Sequence, residues 1–105
     1  MVTKIPKQII ELVKRYKDEI MNKDHEIDSI YIFGSYVKAS YHEFSDIDVA
    51  IVINDKNADV HKKTLEYMMY VWDIDTRIEP HIFIKDDLKE NFLWGSIKNE
   101  LYKIA

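Results

Sequence analysis

The chain has 105 residues, 47% hydrophobic and 32% charged, with two Gly, two Pro and no Cys, a globular composition that suits one compact domain over residues 1–105 and is too short for a second core. Its net charge of -4 argues against gripping a long phosphate backbone, because such domains carry basic surfaces, yet a single nucleotide remains open if metal offsets its charge. Without Cys there is no disulfide framework or thiolate site, and neither a leader-like core in MVTKIPKQII nor an apolar run near the roughly 20 residues of a membrane span is present, so a soluble cytoplasmic protein is expected.

From Ile5 to about Lys23 the apolar residues Ile9, Val13, Tyr16 and Ile20 recur at spacings of four, three and four, which predicts a helix with one buried stripe. DSIYIF, Asp28 to Phe33, reads as a buried strand that stops at Gly34-Ser35. After a polar stretch, DIDVAIVI (Asp46 to Ile53) opens with alternating acids and continues as an apolar run, as a central strand covered on both faces would. Val60, Thr64, Tyr67, Met68 and Val71 predict a second helix between Asn57 and Trp72. RIEPHIFI, Arg77 to Ile84, alternates again, with Ile78, Ile82 and Ile84 on one face and Glu79, His81 and Phe83 on the other. Pro80 cannot donate a ladder hydrogen bond, which predicts an edge strand or a local irregularity. Leu93, Ile97, Leu101 and Ile104 predict a closing helix within Asp86 to Ala105, with Gly95 a candidate break. The order helix, strand, strand, helix, strand, helix gives a small α/β layer protein.

The informative stretch is GSYVKASYHEFSDID, Gly34 to Asp48. Side chains two apart on a strand share a face, so Asp46 and Asp48 project together with Cα atoms roughly 6 to 7 Å apart. Such a pair can share hard divalent cations, which take oxygen ligands and keep positions open for water and phosphates. Gly34 lets the backbone approach a phosphate, Ser35 adds a hydroxyl and turn amides, and Lys38 lies near enough to neutralise phosphate charge. Gly-Ser alone is a common turn and Asp-x-Asp a common strand start. At residue frequencies of roughly 5 to 7% each, the four positions at this spacing arise by chance in about one such chain in a thousand, so the combination is treated as a signal.

Gly34-Ser35, ten residues, then Asp46-Ile47-Asp48 resembles the signature of the DNA polymerase beta nucleotidyltransferase superfamily, and the brevity resembles its minimal nucleotidyltransferase branch. The resemblance covers essentially the whole chain. It implies an α/β (α+β) fold, a small mixed sheet flanked by helices like the polymerase beta palm. It also implies a triphosphate held at Gly34, Ser35 and Lys38, and Mg2+, as a two-metal site, held by Asp46, Asp48 and a third carboxylate. Glu79 is the matching candidate for that carboxylate, with Asp73 and Asp75 as alternatives, and it could also help deprotonate an acceptor hydroxyl. Many relatives have Arg and Gly where this chain has Lys38 and Ala39; Lys keeps the charge and loses bidentate geometry.

The expected activity is therefore transfer of a nucleoside monophosphate, AMP from ATP by resemblance, to a hydroxyl. So small a chain leaves little room for an acceptor domain, and similar proteins act as antitoxins that adenylylate a tyrosine of a helical HEPN-type toxin partner. The competing readings are a non-catalytic protein that neutralises a partner by contact, and one subunit of a small-molecule transferase of the aminoglycoside-modifying kind. A homo-oligomer remains open, and extended nucleic-acid binding and membrane association are not expected. His25, His42, His61 and His81 show no mutual metal-ligand spacing, though His81 shares the face of Glu79. The dense run Tyr67 to Trp72 is wider than one helical stripe, so part of it is a candidate partner interface.

Overall fold

The computed structural model describes residues 5–42 and 44–105. The first four residues of the MVTKIPKQII start, read above as no leader, lie outside the described residues. The chain runs through α1 (Lys7–Lys23), β1 (Ile27–Phe33), a 3-10 turn at Gly34–Tyr36, β2 (Ile47–Ile53), α2 (Val60–Met69) and β3 (Ile78–Ile84). A second 3-10 segment at Lys85–Glu90, α3 (Phe92–Ile97) and the short β4 (Tyr102–Lys103) complete it. The strands form one mixed sheet in the order β3-β2-β1-β4; β1 is antiparallel to β2 and β4, and β2 is parallel to β3. Among the described residues no helix is long and apolar enough to cross a membrane.

Alternation along the strands sorts side chains between two layers. One face carries Ile30, Ile32, Val49, Ile51, Ile53, Ile78 and Ile82, packed with the α1 stripe Ile9, Val13, Tyr16 and Ile20 and with Tyr67 and Val71. The other carries Phe33, Ala50, Val52 and Phe83, against which Leu88, Trp94, Ile97 and Leu101 pack. The Trp94 ring meets Tyr31 at 5.9 Å and Phe83 at 5.3 Å between centroids, both edge-on. The central β2 is covered on both sides, as its apolar run predicts. Pro80 sits in β3, an edge strand, where the missing N–H can face the unpaired side.

Three expectations are corrected. The C-terminal helix does not run to Ala105: it ends after Ile97, Leu93 is exposed, and the chain then extends to pair Lys103 with Tyr31 and Tyr102 with Ile32. The apolar spacing mimics a continuing helix because Leu101 reaches the Phe33 cluster while Tyr102 and Ile104 reach the main core. The open edge of β1 offers backbone partners that a solvated helical turn lacks: Ile30 donates to the Ala105 carbonyl at 3.0 Å and Ile104 donates to that of Ile30 at 2.8 Å. Gly95 sits inside α3 and does not break it. In α2, Val60 and Met68 are exposed, so its buried stripe narrows to Tyr67 and continues into Val71, while Leu65, Met68, Met69 and Trp72 face outward.

A polar link joins α1 to α2 beneath this surface. The Tyr16 hydroxyl donates to the Tyr67 carbonyl at 2.9 Å, the Tyr67 hydroxyl donates to Asp24, and Lys63 Nζ lies 2.8 Å from Asp24 Oδ2. Burial alone would raise the Asp24 pKa, yet the Lys63 and Tyr67 hydrogen bonds and the Glu26 amide hold it below the ordinary carboxylate value. A depressed folded-state pKa contributes stability that is present above the unfolded value and lost as pH falls through the folded one. Asp24→Asn should therefore cost about 1–3 kcal/mol at pH 7, and less at pH 3, as read by urea unfolding at the two pH values. An equal loss at both would show that charge plays no part.

Candidate active site

The site begins where β1 ends. Gly34 adopts φ +80°, and a Cβ built on it would collide with the Asp48 carboxylate, standing only 3.2 Å from its Cγ. Glycine is thus needed twice, for the left-handed backbone and for the approach of the turn to the first acid of β2. The Val37 and Lys38 amides donate back to the Gly34 carbonyl at 3.1 Å, and Ser40 donates to that of Ser35 at 2.9 Å. Buried Tyr36 anchors the turn and stacks on Tyr41 with centroids 4.6 Å apart. Ser35 is half-buried at the start of this turn, and Lys38 is exposed just beyond it. Ala39 takes φ +57°, a conformation that costs a residue with a Cβ roughly 1 kcal/mol and suits the glycine many relatives have there.

The approach to β2 is pinned by Ser45, whose buried hydroxyl accepts from the His42 amide at 2.8 Å. The Ile47 amide then donates to the Arg77 carbonyl at 2.8 Å, and Arg77 is itself held by Asp75 at 2.7 Å. These contacts set the register between β2 and β3, in which Asp48 pairs with Glu79 and Ala50 with His81. In a parallel pair, partners across the ladder share a face, so Asp48, Glu79 and His81 converge. His81 Nε2 lies 3.3 Å from Asp48 Oδ1 and 3.8 Å from Glu79 Oε1.

One donor atom from each of Asp48, Glu79 and His81 lies within 4.8 Å of the other two, a set that could hold a metal ion. Asp46, exposed just before β2, stands close enough to Glu79 to act on its charge. Partial desolvation raises the Glu79 pKa first, the Asp48 and Asp46 charges push the same way, and His81 opposes them. The disfavoured ionisation of Glu79 is what a bound cation would relieve, and the donor chemistry fits a divalent ion. Of the sequence candidates, Gly34, Asp46, Asp48 and Glu79 are brought together. The alternatives to Glu79 are engaged elsewhere: Asp75 binds Arg77, and Asp73 lines a groove of about 400 Å³ with Lys23, Asp24, Lys63 and Tyr67. His81 had no place in the sequence-derived ligand set; its position two residues after Glu79 on the same strand face was the available signal.

Comparison with known proteins identifies the family and the fold. The sequence model of the family described as Polymerase beta, Nucleotidyltransferase matches residues 7–103. A proposed protein adenylyltransferase of Methanocaldococcus jannaschii, MJ0141, is 32% identical over 90 residues, spanning 82% of this chain and 89% of that protein. A second from the same organism, MJ1379, is 26% identical over 94 residues, spanning 90% of this chain and 92% of that protein. A proposed nucleotidyltransferase of Sulfolobus solfataricus shares the fold with a TM-score of 0.70 at 18% identity, covering 91% of this chain and 78% of that one. A toxin-antitoxin crystal structure with AMP-PNP gives a TM-score of 0.62 at 17% identity over 88% of this chain and 72% of that one. With a family match spanning nearly every residue and the mixed sheet to accompany it, the chain belongs to the polymerase beta nucleotidyltransferase family, as a minimal nucleotidyltransferase domain.

Proposed function

We propose that this protein is a magnesium-dependent adenylyltransferase that moves AMP from ATP to a hydroxyl on a protein partner, in an antitoxin role toward a small helical HEPN-type toxin. The observation that carries it is the convergence of the Gly34 turn, Asp48 and Glu79 at one end of the sheet. The names of the two M. jannaschii relatives and of the toxin-antitoxin complex with AMP-PNP support the donor and the kind of acceptor. Gly34, Ser35 and Lys38 hold the triphosphate; Asp46, Asp48 and Glu79 hold magnesium. When bound, the metal supplies charge neutralisation at the phosphates and lowers the pKa of the attacking hydroxyl.

In the transfer the acceptor oxygen forms a bond to the α-phosphorus, and the bond from that phosphorus to the bridging oxygen of the β-phosphate breaks. Pyrophosphate leaves with that electron pair. Glu79, half exposed and raised in pKa, takes the proton of the hydroxyl. The exposed apolar side chains Leu65, Met68, Met69 and Trp72 are available to a protein acceptor.

The test is magnesium-dependent transfer of label from α-labelled ATP, with the purified chain alone and with the product of the adjacent reading frame, using Asp46→Asn as control. Label on the partner with wild type alone is the expected result. Tight partner binding with no label from any nucleoside triphosphate would replace this reading with neutralisation by contact. Label on a small hydroxylated molecule without a partner would move the acceptor class instead.

A further inference from the structure

We propose that the His81 imidazole is a direct ligand of the ion held by Asp48 and Glu79, making a mixed nitrogen and oxygen site that accepts Mg2+ and binds first-row transition ions such as Mn2+ more tightly. The inference rests on the metal reading of Asp48 and Glu79 given above and adds a residue and a selectivity to it.

The first support is the reach of the ring. β1 and β3 lie on opposite sides of β2, roughly 10 Å apart at the usual strand spacing. Even so, the His81 ring on β3 meets Phe33 on β1 with centroids 5.1 Å apart, at 65°. The two rings therefore reach toward each other over β2, where the register partner of His81 is the small Ala50. Phe33 is in turn the register partner of Asp48, so the edge-on contact steers Nε2 toward that carboxylate.

The second support is spacing. A charge-assisted hydrogen bond from imidazole to carboxylate draws in to about 2.7–2.9 Å. Here Nε2 stays at 3.3 Å from Asp48 Oδ1, while a second carboxylate oxygen, from Glu79, lies at 3.8 Å. Neighbouring donors on an octahedral ion with bonds of about 2.1 Å are about 3 Å apart. Three donors from two strands at these separations need only small side-chain rotations to close on one centre. The ring nitrogen thus stands nearer Asp48 and still within 4 Å of Glu79, between the two carboxylates.

The selectivity follows from the donor. Magnesium favours carboxylate and water oxygens; Mn2+ shares that preference but also accepts an imidazole nitrogen, so the added donor tips the site toward Mn2+ and further toward the later first-row ions. The side chain beside it, Glu79, is about half exposed, which leaves space for phosphate oxygens to fill the remaining positions.

The test loads the purified chain with Mn2+ and records pulsed electron paramagnetic resonance, before and after 15N-labelling of histidine, and in His81→Ala. Titrations of both proteins with Mn2+ and with Mg2+ accompany it. Expected are a directly bound 14N coupling that turns to 15N on labelling and vanishes in His81→Ala, a loss of at least roughly tenfold in Mn2+ affinity, and a change in Mg2+ affinity below about twofold. Saturable Mn2+ binding to wild type without nitrogen coupling overturns the inference and leaves the metal reading intact. Equal weakening of both ions in His81→Ala overturns it in favour of a residue that positions Asp48. Absence of saturable binding to wild type overturns both readings together.

Discussion

Asp48→Asn will abolish nucleotidyl transfer while leaving the fold at least as stable as wild type. The loss should be at least roughly 10³-fold, because the stabilisation a metal gives to developing charge is worth several kcal/mol and each 1.36 kcal/mol is tenfold in rate. Partial desolvation is the main cause of the raised Glu79 pKa and the Asp48 and Asp46 charges add to it, so the unchanged or raised stability comes from lifting one of those added charges. A carboxyl whose folded pKa exceeds its unfolded value disfavours folding when charged; that penalty is full above the folded pKa and fades as pH falls to the unfolded one. Asparagine at 48 removes one of the charges responsible. Thermal melts at pH 7 should therefore show a midpoint equal to or above wild type without magnesium, and little of the magnesium-induced rise that wild type gains. A variant that melts far below wild type would show that the Asp48 charge is structural, and one that still transfers label would remove Asp48 from the chemistry.

Gly34→Ala will damage both stability and activity. The residue would have to hold φ +80°, which costs a side chain with a Cβ about 1–2 kcal/mol, and its methyl would press on Asp48. Since the opposing atoms belong to a side chain, relief comes by moving the carboxylate rather than by unfolding. A displacement near 1 Å at a reacting centre costs about 10²-fold, so transfer should fall by about that factor and Mg2+ affinity should fall with it. Denaturant unfolding, magnesium titration and the label assay check the three parts. Intact magnesium affinity alongside lost transfer would assign Gly34 to the nucleotide alone.

Much of this architecture was legible in the sequence because it rests on local periodicity. Ile9, Val13, Tyr16 and Ile20 are all buried as their spacing predicts, and the three longer strands lie where alternation and turn residues put them. The Gly-Ser and Asp-x-Asp fragments read as one site because the strands they end and begin are antiparallel neighbours. The opposition of Asp48 and Glu79 was not readable from the residues themselves, since the register of two parallel strands is settled by tertiary contacts such as Ile47 to Arg77; family resemblance supplied Glu79. The β4 strand was missed because spacings of four, four and three among Leu93, Ile97, Leu101 and Ile104 fit a helix, and only the free edge of β1 decides otherwise.

The parallel pairing of β2 with β3 also sets when the site can exist. Asp48 and Glu79 are 31 positions apart and are joined through α2, so their meeting is a non-local event that follows the local hairpin of β1 and β2. On a ribosome adding about 5–20 residues each second, the Gly34 turn and Asp48 emerge roughly 2 to 6 s before Glu79. A nascent chain thus carries half of the carboxylate set, and the second carboxylate arrives only with the strand that closes the sheet edge. The meeting of Asp48 with Glu79 is in this sense a timestamp on folding, marking the moment at which the last long strand has docked.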